Sequence, residues 1–225
     1  MVVGELSDRA EVVVVGGGPG GYEAALLLAA HGKQVMLIER DHVGGVCLNV
    51  GCIPSKALIH QAELARLPLS EAGSGVTVQA ALDPVAMLAH RSTIVSNLTA
   101  GVSGLLERAK VEVWSGSARF ARADRLVVEQ GENVKHLEFE KCVLATGSRP
   151  ITLPGFEIGL HGDVDVIDST GALALERIPQ QMVVIGGGYI GIELGTAWAK
   201  LGSAVTVVEM GDRILPGMDP AQSRV

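Results

Sequence analysis

One sequence pattern occurs twice in this chain, and it constrains the fold more tightly than any other feature. A β-branched run, Glu11 to Val15, enters Gly16-Gly17-Gly18-Pro19-Gly20-Gly21, with Gly16, Gly18 and Gly21 in the spacing G-x-G-x-x-G. Helical periodicity runs from about Gly20 to His31 and ends at Gly32; a second apolar run, Gln34 to Ile38, closes on Glu39. Met182 to Ile185, then Gly186, Gly188 and Gly191, a helix to about Leu201, the run Ala204 to Val208 and Glu209 repeat the series 170 residues later. Short continuous β-branched runs read as buried parallel strands. The glycines let the backbone approach a pyrophosphate at a helix N-terminus, and the acid can bind ribose hydroxyls. A single glycine motif says little. The whole series, present twice, predicts an α/β chain with two Rossmann-like dinucleotide-binding domains, the second incomplete.

Between the two copies lies a pair of cysteines. Gly44-Gly45-Val46-Cys47-Leu48-Asn49-Val50-Gly51-Cys52-Ile53-Pro54-Ser55-Lys56 sets Cys47 and Cys52 five residues apart. On a regular helix that spacing rises about 7.5 Å and turns about 500°. An unstrained disulfide wants Cα atoms roughly 4.4–6.8 Å apart, so the segment departs from regular helix if the sulfurs meet. Pro54 agrees, because its ring would meet the Val50 carbonyl, and Gly51 permits a sharp turn. A bent entry into a helix puts Cys52 near its N-terminus, where an anionic sulfur is favoured. A zinc site would need about four ligands, and Cys142 is the one further cysteine. A passive structural disulfide suits a secreted chain. A redox-active dithiol is the favoured reading.

Composition narrows the classes. Nearly half of the 225 residues are hydrophobic and 19% are charged, enough for a sizeable core. A net charge of −7 without a basic cluster argues against a nucleic-acid partner. The longest apolar helical run, Ala24 to Ala30, is too short to span a bilayer. Residues 1–10 carry Glu5, Asp8 and Arg9 and no apolar signal core. These features lead to the expectation of a cytoplasmic protein without a membrane partner. No metal site is expected.

The remaining sequence is organised around the two repeats. Ala57 to Leu67 reads as helix, Pro68 to Pro84 as a polar connection, and Asp83-Pro84 as the start of a long helix reaching about Ala109, frayed at Gly101 and Gly104. Short strands at Val111–Trp114, Ser117–Ala121, Leu126–Glu129 and Lys135–Phe139 predict an antiparallel meander. Lys141 to Ala145 reads as a further buried strand. The turn Thr146 to Pro150 then divides a first nucleotide domain, 1–150, from a partial second one, 151–225.

In this order of motifs the chain resembles the pyridine nucleotide–disulfide oxidoreductases, which are FAD flavoproteins. Within them, Cys47 to Leu58, Ser169-Thr170-Gly171-Ala172-Leu173 and Gly188 to Gly195 are most similar to the branch that oxidises dihydrolipoamide with NAD⁺. The resemblance implies that Gly16, Gly18, Gly21 and Glu39 hold the ADP part of FAD. It also implies that Gly45, Gly116, Thr146, Gly147 and Ser148 line the flavin site. Cys47 would meet the substrate, Cys52 would lie against the flavin, and Lys56 would sit beside the flavin and pair with Glu193. Gly186, Gly188, Ile190, Gly191 and Glu209 would hold NAD, and Tyr189 would cover the flavin where nicotinamide docks. Glu209, with no arginine cluster after it, implies NAD⁺ over NADP⁺. The implied partner is dihydrolipoamide on a lipoyl domain of a 2-oxo acid dehydrogenase or glycine cleavage complex, and the full-length enzyme would be a homodimer.

The sequence departs from that pattern in two places. Val46 stands where many members have a threonine that helps to hold the FAD phosphates. Members of the family also extend well past the length of this chain, with a dimer-interface region and a histidine–glutamate base. Two rival readings follow: a nucleotide-binding fragment without turnover, and a related glutathione- or mercuric-type reductase.

Overall fold

The computed structural model describes residues 7–70 and 81–223. Most of the expected connection 68–84, and most of the N-terminal segment 1–10, lie outside the described residues. The chain runs β1 (Ser7–Val15), α1 (Pro19–Ala30), β2 (Val35–Glu39), α2 (Gly45–Val50), α3 (Cys52–Ser70) and α4 (Pro84–Arg108). Then follow β3 (Glu112–Ser115), β4 (Ser117–Arg122), β5 (Arg125–Gln130), β6 (Asn133–Leu144), β7 (Gly159–His161), β8 (Val164–Val166) and α5 (Ser169–Leu173). The second fingerprint supplies β9 (Gln181–Ile185), α6 (Tyr189–Leu201) and β10 (Ala204–Val208). The architecture is Rossmann-like α/β, and contacts group residues 1–49 with 95–149, and 50–94 with 150–225.

The first unit is built on a six-stranded sheet in the order β3-β2-β1-β6-β5-β4. β1 runs parallel to β2 on one side, Val12 opposite Val35, and parallel to β6 on the other, Val15 opposite Leu144. Flanked on both sides, Val12, Val13 and Val14 are buried, which is why their run is continuously apolar. Ala10, Val13, Met36, Ile38, Trp114, Leu126, Val128 and Leu137 close the core.

Three expectations for this unit are corrected. Val111–Trp114 does not open the meander: β3 runs parallel to β2, Leu37 opposite Val113. The runs 135–139 and 141–145 are one strand, because β6 continues through Glu140 and pairs with β1 along its later length and with β5 along its earlier length. The antiparallel meander is therefore β4-β5-β6. Finally, α4 continues through Gly101 and Gly104 without a break; Asp83 Oδ1 accepts from the Ala86 N–H at 3.0 Å and starts it.

In the second unit β9 and β10 form a parallel pair, Val184 opposite Val207. Leu194, Ala197, Trp198 and Leu201 recur on α6 at i, i+3, i+4 and i+7, a single apolar stripe. That stripe packs with Leu58 and Ala62 of α3 and Leu173 of α5. Arg91, buried on α4, joins the helices: it donates to Gln61 Oε1 of α3 at 2.8 Å and to the Leu173 carbonyl at 3.1 Å. Desolvation holds its guanidinium below its usual range.

Candidate functional site

The first glycine turn is enclosed. Gly16 has φ +103°, and a Cβ there would fall on the Ala145 carbonyl oxygen. A Cβ on Gly21 would fall on the Gly16 carbonyl oxygen, and one on Gly45 would lie 2.6 Å from Gly18 Cα. These positions take no side chain. Gly18 caps α1 without any side-chain hydrogen bond and Pro19, which has no N–H, occupies its first turn. The Gly21 N–H donates to the Gly18 carbonyl at 2.9 Å, so no side chain stands over the start of the helix. Glu39 accepts from the Gly17 N–H at 2.6 Å and from the Asp41 N–H at 2.7 Å. Thr146, Gly147 and Ser148 leave the end of β6 exposed, whereas Gly116 is buried between β3 and β4, donating to the Glu39 carbonyl at 2.8 Å.

The cysteine segment bends where it was expected to. α2 ends at Val50, Gly51 is a bend, and α3 begins at Cys52. The left-handed backbone, however, falls on Gly44 (φ +95°) and Gly45 (φ +56°), not on Gly51. Cys47 is half-buried, Cys52 is exposed, and both stand as thiols. The Ser55 N–H donates to the Gly51 carbonyl at 3.0 Å and its hydroxyl to the Cys52 carbonyl at 3.1 Å, firming the first turn of α3. Cys142 is a half-buried strand residue whose thiol is pushed up by burial.

Lys56 stands one helical turn beyond Cys52, on the same face of α3. Its Nζ lies 2.8 and 2.7 Å from the two carboxylate oxygens of Glu193, on α6. The two side chains are 60% and 37% exposed, so the pair contributes at most about 1 kcal/mol to stability. Its meaning lies in where it holds the ammonium.

Around the second glycine turn, Gly186 has φ +102°, and Gly188 caps α6, again with no side-chain cap. A Cβ on Gly191 would lie 2.5 Å from the Gly186 carbonyl oxygen. Tyr189 and Ile190 open α6, both exposed. Glu209 accepts from Gly187 N–H at 2.7 Å and Gly211 N–H at 2.8 Å. The Gly211 bond first, then the Gly187 bond, hold its carboxyl below the ordinary range.

Sequence reasoning passed over two neighbours of Cys47. The Asn49 amide donates to the carbonyls of Val43 (3.1 Å) and Gly45 (2.9 Å), tying the turn that carries the cysteine. Burial pushes the Tyr22 hydroxyl up, and charge on Glu23 and Cys47 acts in the same direction. Tyr22 directly follows Gly21, so the fingerprint itself was the available signal; the Asn49 contacts had none. Among the described residues no cluster of three or more His, Cys, Asp or Glu could hold a metal, and no described helix is long and apolar enough to cross a membrane.

Known proteins resemble this chain in sequence and in fold. The chain is 42% identical over 226 residues to a dihydrolipoyl dehydrogenase of Geobacillus stearothermophilus, covering all of this chain and 47% of the relative. It is 44% identical over 232 residues to that of Haloferax volcanii, with the same coverage. The chain thus spans about half the length of the curated relatives it matches. The HOCl-induced flavoprotein disulfide reductase RclA of Escherichia coli superposes with a TM-score of 0.78 at 31% identity, covering 93% of this chain and 44% of that one. LpdA of Mycobacterium tuberculosis gives 0.83 at 26% identity, covering 96% and 48%. The family described as pyridine nucleotide-disulphide oxidoreductase matches residues 10–225, and with both glycine turns, the cysteine segment and the Lys56–Glu193 pair in place, the chain belongs to that family.

Proposed function

We propose that this chain carries the dithiol and both nucleotide-binding turns of an enzyme that oxidises dihydrolipoamide with NAD⁺. Residues 1–150 would serve FAD, and residues 151–225 would form part of the NAD domain. The residues present fit a dinucleotide at each turn: α1 and α6 both start without a side-chain cap, and Gly16, Gly21 and Gly45 leave no room for a Cβ. Gly16, Gly18, Gly21, Gly45 and Glu39 would hold FAD, with Gly116, Thr146, Gly147 and Ser148 along its flavin part. Gly186, Gly188, Tyr189, Ile190, Gly191 and Glu209 would hold NAD. When bound, FAD accepts an electron pair and NAD⁺ takes it on as hydride.

The chain's own residues supply the thiol chemistry. A substrate thiolate attacks the Cys47 sulfur of an oxidised Cys47–Cys52 pair, and Cys52 leaves as the thiolate. The second substrate sulfur then displaces Cys47. One S–S bond forms in the substrate, one breaks in the protein, and two electrons move. Lys56 presents a cation on the face of α3 that carries Cys52, and Glu193 fixes its direction. This arrangement along α3, Cys52 at its first residue and Lys56 one turn on against Glu193, is the observation that carries the reading. The relatives' name, dihydrolipoyl dehydrogenase, supports the substrate. A cytoplasmic homodimer, with a lipoyl domain of a 2-oxo acid dehydrogenase or glycine cleavage complex as donor, completes the proposal.

Thiol titration tests it. Oxidised chain treated with dihydrolipoamide should gain two thiols, and neither Cys47→Ser nor Cys52→Ser should gain any. No gain in the parent chain rejects the reading. The exposed residues of β9 and β10, Val183, Ile185, Val207 and Val208, favour a second reading, nucleotide binding without turnover. NADH binding without thiol gain selects that one, and a gain with glutathione alone selects the broader reductase class.

A further inference from the structure

The loop after each fingerprint's acid returns to its own glycine turn through one main-chain hydrogen bond. In the first copy the Gly44 N–H donates to the Gly17 carbonyl at 2.8 Å; in the second, the Leu215 N–H donates to the Gly187 carbonyl at 2.7 Å. Gly44 makes its bond from a left-handed backbone, φ +95°, which costs glycine nothing. Leu215 makes the same bond at φ +53°. A branched side chain seldom enters this region, because its Cβ crowds the following carbonyl. The other described non-glycine residue with positive φ is Lys110 (φ +57°), just past α4, where a left-handed residue commonly ends a helix. Leu215 ends no helix.

Its surroundings hold it there. The Met218 N–H donates to the Leu215 carbonyl at 3.1 Å, and the Ser223 hydroxyl to the Ile214 carbonyl at 2.7 Å. Ile214 lies against Gly187, its Cγ2 3.0 Å from where a Cβ on that glycine would be. A strained conformation kept by several neighbours points to a use for it.

We propose that Leu215 is a positioning residue for the second nucleotide site, acting through its backbone conformation rather than its side chain. The inference rests on the reading of this turn as a dinucleotide site. The Gly187 carbonyl and the Gly188 N–H belong to one planar trans peptide and point in opposite directions. Glu209 already holds the Gly187 N–H. With Leu215 holding the carbonyl, the Gly188 N–H at the uncapped start of α6 is aimed away from the loop, available to a pyrophosphate oxygen.

The test is NADH binding, followed by fluorescence, to the 225-residue chain and to four variants. Leu215→Gly and Leu215→Asn keep access to the left-handed region, whereas Leu215→Val and Leu215→Ile oppose it. Gly and Asn should bind within about twofold of the parent, and Val and Ile about tenfold more weakly, the equivalent of the strain a β-branched residue would add there. If the side chain matters instead, the order reverses: Val and Ile bind well, Gly and Asn poorly. That result, or equal affinities in all five proteins, overturns the inference while leaving the nucleotide site standing. Absence of NADH binding by the parent removes the site and the inference together. Should Val or Ile fail to fold, Leu215→Thr, β-branched but polar, takes their place: weaker binding than in Gly and Asn supports the inference, and parent-like binding overturns it.

Discussion

Glu39 and Glu209 end the two fingerprints alike, each carboxylate bridging the middle glycine of its turn and the residue two positions on. The strands behind them differ. β1 lies between β2 and β6 and is buried at Val12, Val13 and Val14. Among the described residues β9 has β10 alone beside it, and Val183, the counterpart of Val13 at the 170-residue offset, is 65% exposed. Glu23 and Glu193 are counterparts in the same way, and only Glu193 meets a lysine of the cysteine segment. Local sequence builds the strand, turn, helix and acid. Burial and chemistry come from what the rest of the chain lays against them.

Gly16 and Gly186 provide the sharpest way to break this comparison. Their φ angles are +103° and +102°, so alanine suffers the same backbone strain at either place. A Cβ on Gly16 would meet the Ala145 carbonyl, whereas nothing lies within 4 Å of one on Gly186. Gly186→Ala should cost about 1–3 kcal/mol, the strain alone. Gly16→Ala should cost roughly 4 kcal/mol or more, in the range of severe single substitutions. Urea unfolding of the two variants measures the gap. Equal losses would mean that enclosure by β6 adds nothing.

The strand pair gives a smaller effect. Val13→Ala removes buried methyl groups from the first core and should cost about 1.5–3 kcal/mol. Val183→Ala changes an exposed position and should stay within about 0.5 kcal/mol. A comparable loss at Val183 would show that β9 is covered in solution.

The features legible in the sequence were those written in local pattern. Both fingerprints, the bend before Cys52 and the start of α4 at Asp83 follow from glycine spacing, proline position and capping chemistry. The misreadings concern partners. Glu140 interrupts the apolar pattern between Phe139 and Lys141, so one strand read as two, though β6 runs on through it. The polar residues Ser7, Asp8 and Arg9 gave no strand signal, yet they pair with His136, Leu137 and Glu138. Val111–Trp114 looked like the first meander strand because alternation does not say which neighbour it will take. At the site, Cys47, Cys52 and Lys56 could be picked out together because they are close in sequence. Lys56 and Glu193 lie 137 positions apart, and only a resemblance joined them. The left-handed backbone of Leu215 was invisible, since nothing in a leucine announces it.

The acid at the end of each fingerprint yields the smallest effect and the finest test. Glu209 is held below the ordinary carboxylate range by the N–H groups of Gly211 and Gly187. A folded-state value below the unfolded one contributes stability that is full above the ordinary carboxylate range. It is lost as pH falls through the lower, folded value. Glu209 is half-buried and one of its two hydrogen bonds is open to solvent, so the contribution is small and solvent-screened. Glu209→Gln keeps one oxygen acceptor and loses the other, leaving an amide N–H₂ against a backbone donor. The variant should therefore melt slightly below the parent at neutral pH. On acidification the parent's carboxyl takes up its proton, and the two melting curves should converge. Parallel curves at every pH would show that the glutamate acts by shape alone, and that the bond pattern it shares with Glu39 carries no charge-dependent stability in the second turn.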